Sequence, residues 1–229
     1  ATSLPLSVSF RCPQAIVEYA RVRVPHMQWR KPGGQVHILD SLDTRNIPDG
    51  SAIICRNNAP LFKLALLLLS SGRGIHLVGT DLGPSLIKTL RKLGPATLTT
   101  DQTNAAIDEW QAAREAKSRN KASIADKAEC LKVFAQFGAT LGGAIAYAEH
   151  LFAGHGAIQL LSGHKAKGLE WDVVYHLDPW RIPSPFAQEP EEIEQEKNLH
   201  YVITTRAKQE LYEIDLERIT TEPQSAPKQ

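Results

Sequence analysis

The chain has 229 residues, 42% of them hydrophobic, and a formal net charge of +1. That length allows one large domain, or one domain with an insertion, around a sizeable core, and the near-neutral charge excludes a global basic field, so any contact with nucleic acid must come from a local patch. Cys12, Cys55 and Cys130 are odd in number and far apart, which excludes a disulfide framework and metal-ligand spacing and points to a reducing compartment.

The apolar run Leu64–Leu69 is too short to span a bilayer, and lysine and arginine lie close on either side of it. Nothing at the amino terminus reads as a signal peptide. A cytoplasmic protein with no membrane partner is the expectation. The chain opens at Ala1, without a methionine, on residues that read as mid-domain; a piece of a longer protein is expected, although removal of an initiator methionine leaves the same trace.

In chain order, a short extended segment leads to Ser9-Phe10-Arg11-Cys12-Pro13 and then to Ala15–Ala20, which has helical spacing. Pro13 suits the first turn of that helix. Arg11 thus stands just before a helix amino terminus, where anions are favoured; a surface arginine lying along the helix is an equal reading on local grounds. Gln35–Leu39 alternates as an edge strand does, and Asn46–Gly50 has turn chemistry. Ala52–Cys55 reads as a short apolar strand followed at once by Arg56-Asn57-Asn58, and Pro60–Ser70 as a strongly apolar helix. Strand, polar loop and helix make a βα unit with Arg56 and Asn57 at the strand's carboxyl end. Ile75–Val78 reads as another strand and Ser85–Leu93 as a helix.

Residues 97–154 change character, being rich in Ala, Lys, Glu and Gln without a strand-like run. Ala105–Ser118, Ile124–Phe137 and Leu141–Phe152 have helical periodicity, with Asp101 or Thr103 as caps. We expect a helical insertion with its own small core of Trp110, Phe134 and Phe137, and at Gly142-Gly143 either a hinge or a close helix contact. Residues 1–96 and 155–220 then form the two parts of one parallel α/β domain, and 221–229 a disordered polar tail.

The stretch LLSGHKAKGLEWD, Leu160–Asp172, joins two apolar runs through a basic polar loop. Loops beyond strand ends are where open α/β sheets bind ligands. His164, Lys165 and Lys167 offer cationic donors for phosphate, and Glu170 a carboxylate suited to a sugar hydroxyl; solvated lysines are the plainer alternative. Val173–Leu177 follows as a buried strand, then a proline-punctuated segment, an acidic helix over Glu191–Tyr201, and a last strand over Glu210–Asp215.

Three of these stretches, SFRCPQAI, HKAKGLEWD and EQEKNLHYVITTRAK, resemble in order motifs IV, V and VI of the UvrD/Rep-like superfamily 1 helicases. IICRNNAPLFKLALLLLSSG resembles that family's R-x-N segment between motifs IV and V. The resemblance spans about Ser9 to Leu216. It implies an α/β fold, a RecA-like parallel sheet flanked by helices, with residues 97–154 as a reduced, all-helical 2B-type insertion in domain 2A. There is no G-x-x-x-x-G-K-[ST] loop and no Asp-Glu pair closing a strand. In the family those belong to the first RecA-like domain, so ATP with Mg²⁺ is the expected cofactor and its Mg²⁺ ligands are expected on an amino-terminal domain outside this chain.

Carried over residue by residue, the resemblance makes Arg206 the motif VI arginine finger and Arg11 the motif IV arginine, both directed at the γ-phosphate. A delocalised, permanently charged fork is suited to charge developing on transferred phosphoryl oxygens. Glu170 is expected at the nucleotide ribose, with Gly168 letting the backbone come close. His164, Lys165, Arg56 and Asn57 are expected along the sugar–phosphate backbone of single-stranded or partly duplex DNA. Tyr201 and Trp171 are expected to pack. The chain departs from the family at Ser9-Phe10, Cys12, Lys197-Asn198 and Ile203. The implied function is the carboxy-terminal motor domain of an ATP-dependent DNA helicase or translocase, partnered by the amino-terminal RecA-like domain of the same protein and inactive without it. A non-catalytic module that binds DNA or protein is the alternative.

Overall fold

The computed structural model describes residues 8–79 and 82–221. Six strands form one fully parallel sheet in the order β3 (Gln35–Ile38), β9 (Ala207–Ile214), β8 (Trp171–Leu177), β5 (Ala52–Cys55), β7 (Ile158–Ser162), β6 (Ile75–Leu77). Every residue of β5 is buried, as a central strand covered on both faces requires. β3 takes an edge, as its alternation predicts. Two parallel pairs flank the sheet, β1 (Val8–Pro13) with β2 (Gln28–Lys31) and β4 (Leu42–Asp43) with β10 (Ile219–Thr220). The α/β class, a parallel sheet flanked by helices, is the one expected.

Helices cover both faces. α1 (Gln14–Ala20) and α7 (Pro190–Thr204) lie on one, where Ile16, Val17, Leu199 and Ile203 pack against Ile54, Leu161, Val174 and Leu211. α2 (Asn58–Ser70), α3 (Leu82–Leu90), α4 (Thr100–Glu115), α5 (Lys121–Gly138) and α6 (Leu141–Phe152) cover the other. α2 is apolar on nearly every side because it is sandwiched between the sheet and α5. Trp171, nearly buried, packs in the α1–α7 core and Tyr201 lies against it. No helix among the described residues is long and apolar enough to cross a membrane.

Residues 97–154 are all-helical between β6 and β7, but they have no separate core. Phe134 is fully buried and its ring lies 5.7 Å from Phe62 of α2 and 6.1 Å from Phe152. Ile107, Leu131, Leu141 and Leu151 join the same cluster as Ile53 and Leu160 of the sheet. Each such side chain contributes about 1.5–3 kcal/mol by burial, and that is gained against α2 and the sheet. Trp110 and Phe137 lie at the margin of this cluster. The α4 cap is Thr99, in a reciprocal capping box with Gln102, not Asp101 or Thr103; Thr103 is buried within the helix. At the α5–α6 corner a Cβ on Gly143 would stand 2.0 Å from the Gly138 carbonyl oxygen, so the glycine pair serves a close contact. The expected tail falls, from residue 222, outside the described residues.

Candidate functional site

A parallel sheet gathers all strand carboxyl ends at one edge and all amino ends at the other. Arg56 and Asn57 follow β5, and His164 and Lys165 follow β7, so these four stand at the carboxyl edge. The crossover 163–170 then runs across the α1–α7 face, burying Ala166, and delivers Gly168, Leu169 and Glu170 to the amino end of β8. β8 and β9 begin in register, Trp171 opposite Ala207. Glu170 and Arg206 are therefore neighbours at the amino edge, and the Trp171 N–H donates to the Arg206 carbonyl at 3.0 Å. The eight expected site residues fall into two sets at opposite ends of one sheet.

At the amino edge three distant segments meet. Arg11 Nε lies 2.5 Å from Glu170 Oε2, with the side chains 39% and 42% exposed. The neighbouring Cys12 thiol donates to the Thr205 carbonyl at 3.4 Å. Arg206 is only 8% exposed. Its Nε donates to the Val202 carbonyl at 2.8 Å, Nη1 to the Leu169 carbonyl at 3.0 Å and Nη2 to Thr205 Oγ1 at 3.1 Å. Three of its five N–H donors are so used. Arg206 thereby fastens the end of α7 to the crossover. Burial, then the nearby Arg11, weakens the hold of this guanidinium on its proton, and burial raises the Cys12 and Tyr201 pKa values. Two guanidinium groups against one carboxylate leave the edge attractive to an anion. Gly168 has φ +86° and nothing within 4 Å of a would-be Cβ; the turn's left-handed backbone, and no crowding, calls for glycine there.

At the carboxyl edge the polar side chains are held by partners that local sequence does not reveal. Arg56 makes a two-pronged pair with Glu196 of α7, Nε to Oε2 and Nη2 to Oε1 at 2.9 Å each. Glu196 Oε2 also accepts from the Ser184 N–H at 2.9 Å. Asn57 Nδ2 donates to Asp126 Oδ1 at 3.0 Å, and Asn58 donates to the same carboxylate through both its backbone and its side chain. Asp126 belongs to α5, so the inserted helices complete this edge. Partial desolvation and the Arg56 guanidinium hold His164 below the usual imidazole range. Lys165 lies along Gly79 and lines a cleft of about 420 Å³ with Asn58, Ser85 and Ser162.

Two residues that sequence reading passed over stand beside Arg56 and Asn57. Trp180 is 64% exposed with the Arg181 guanidinium 4.6 Å above its ring, and Phe186 is 50% exposed. Both line one cleft with Arg56 and Asn57. Solvated aromatics beside basic groups can stack on bases. The signal available was the pair of aromatics in a proline-rich segment.

Residues 108–217 match the family model described as the UvrD-like helicase C-terminal domain. That span includes His164, Lys165, Gly168, Glu170 and Arg206, and stops short of Arg11, Arg56 and Asn57. No curated protein matches the chain. Among solved structures, the crystal structure of the C-terminal domain of a possible DNA helicase from Lactobacillus plantarum WCFS1 is similar over 95% of this chain and 91% of its own, with 15% identity and a TM-score of 0.40.

Proposed function

We infer, from the match of residues 108–217 to the UvrD-like helicase C-terminal domain model, that the chain is the carboxy-terminal motor domain of an ATP-dependent DNA helicase or translocase. The observation that carries this reading is the convergence of Arg11, Glu170 and Arg206 on one edge, from three segments remote in sequence. Two arginines and a carboxylate fit part of a nucleotide site. They supply charge for the phosphates and an acceptor for a sugar hydroxyl, and none of the Mg²⁺ ligands. The rest is assigned to an amino-terminal RecA-like domain of the same parent, closing on this edge.

ATP with Mg²⁺, bound between the two domains, supplies the phosphoryl transfer that drives movement. Arg11, solvent-exposed where it pairs with Glu170, turns to the γ-phosphate. Arg206 keeps two N–H donors for the same charge while its other bonds hold the crossover. Because that crossover also carries His164 and Lys165 to the opposite edge, a shift at the phosphate end is felt where single-stranded DNA lies along Arg56, Asn57, His164 and Lys165. Alone, the chain turns over no ATP.

A second reading, a module that binds DNA or protein without ATP, draws on the engagement of Arg206 and of Arg56 by groups of the chain itself. One experiment separates the two. In the full-length parent, Arg206→Ala should reduce single-strand-stimulated ATP hydrolysis by about 10³-fold or more, with the protein folded and still binding DNA. Turnover within a few-fold of wild type favours the module.

A further inference from the structure

We propose that His176, His200 and Glu213 form a binding site for one divalent transition-metal ion of the zinc class, on the α7 face of the sheet and one residue in from the carboxyl ends of β8 and β9. His176 of β8 and Glu213 of β9 are direct cross-strand partners, so their side chains leave the same face of the sheet. His200 of α7 comes down onto them. The His176 Nδ1 lies 3.5 Å and the His200 Nε2 3.7 Å from the same carboxylate oxygen, Glu213 Oε1. One ligand atom from each of the three residues lies within 4.8 Å of the others. Ligand atoms about 2.0–2.1 Å from a tetrahedral zinc ion stand roughly 3.3 Å apart, so a small closure of the three groups brings them to coordination distance.

The independent sign is an unmet need. His176 is fully buried, yet neither of its ring nitrogens has a hydrogen-bond partner, and Glu213 Oε1 has none either. Buried polar atoms are nearly always partnered, and here two of the unpartnered atoms face one another. Two imidazoles and one carboxylate are a donor set that suits zinc and its neighbours in the transition series.

Tyr19 of α1 stands beside the cluster, its ring centroid 6.3 Å from that of His200, and neighbours of this kind orient ligating side chains. His200 is partly exposed and borders a groove of about 540 Å³ with Tyr19, Ile182, Lys197 and Tyr201. That groove gives the ion an entry path and a water molecule the fourth position. The site's role is to clamp α7 to β8 and β9. Since α7 ends one residue before Thr205 and two before Arg206, metal binding would set the stiffness of the amino-edge cluster.

The test uses the chain stripped of metal by a chelator and then titrated with Zn²⁺, with Co²⁺ as the spectroscopic probe. Expected are one ion per chain by calorimetry, a rise in Tm on metal addition, and the visible absorption bands of four-coordinate Co²⁺. His200→Ala, at a partly exposed position that keeps the fold, should lose stoichiometric binding, and Glu213→Gln likewise. No saturable binding by the folded wild-type chain, or binding that both ligand variants leave unchanged, would overturn the proposal.

Discussion

Glu170 and Arg206 stand side by side because β8 and β9 start in register, and the Arg206 guanidinium donates to the carbonyl of Leu169, the residue before Glu170. The side chain that the family resemblance assigns to phosphate is therefore also the bolt between α7 and the crossover. The bolt and the proposed phosphate contact have separable consequences.

Arg206→Ala removes donors from the carbonyls of Val202 and Leu169 in a buried setting. Unfolding of the isolated chain in denaturant should show a loss of about 1.5–3 kcal/mol, the range for hydrogen bonds to charged groups. Arg206→Lys should recover little of it, since a point charge cannot span three acceptors. A loss within about 0.5 kcal/mol, the range of an inconsequential surface change, would mean these bonds do not hold the crossover.

Glu196 keeps Arg56 paired at the carboxyl edge, with both side chains mostly buried. Glu196→Ala leaves a sequestered guanidinium and the Ser184 N–H without an acceptor, and should cost about 3–5 kcal/mol in the same unfolding measurement. Glu196→Gln keeps the shape and releases the charge. In the parent protein it should tighten single-stranded DNA binding and steepen the logarithmic salt dependence by about one phosphate contact. An unchanged slope would take Arg56 off the DNA path.

The three cysteines report on the core. Burial raises the Cys12 and Cys130 thiol pKa values and lifts Cys55 to about 12. Thiolate is the reactive species, so at pH 8 a thiol reagent should label the native chain no faster than it unfolds. The rate should follow denaturant concentration as unfolding does. Rapid labelling of Cys12 in the folded protein would show the amino edge opening locally.

Much of this arrangement is legible in one dimension. Ala52–Cys55 and the apolar run Val173–Leu177 announce buried strands, and the 3.6-residue spacing over residues 97–154 announces helices. What escapes has long-range causes. Trp171 and Asp172 join β8 only because Ala207 waits across the sheet. α7 runs on through Val202, Ile203 and Thr204, whose β-branched side chains disfavour a helix locally; the burial of Ile203 outweighs that preference. The inserted helices do not build a core of their own because Phe134 finds Phe62 and Phe152. The same distance hides the partners of the site. Glu196 lies 140 residues from Arg56, and Asp126 lies 69 from Asn57, so no local pattern shows that these side chains are held.

The most direct test of the motor reading uses Arg11, because it is exposed and its loss leaves no buried group unpaired. The measurement is single-strand-stimulated ATP turnover by the full-length parent carrying Arg11→Ala, with DNA affinity measured alongside. Expected is a fall in kcat of about 10²–10³-fold, the scale of losing one charge-stabilising donor, while DNA affinity without nucleotide stays within about twofold. Turnover equal to wild type, or a loss that appears only as weakened DNA binding, would contradict the assignment of the amino edge to nucleotide.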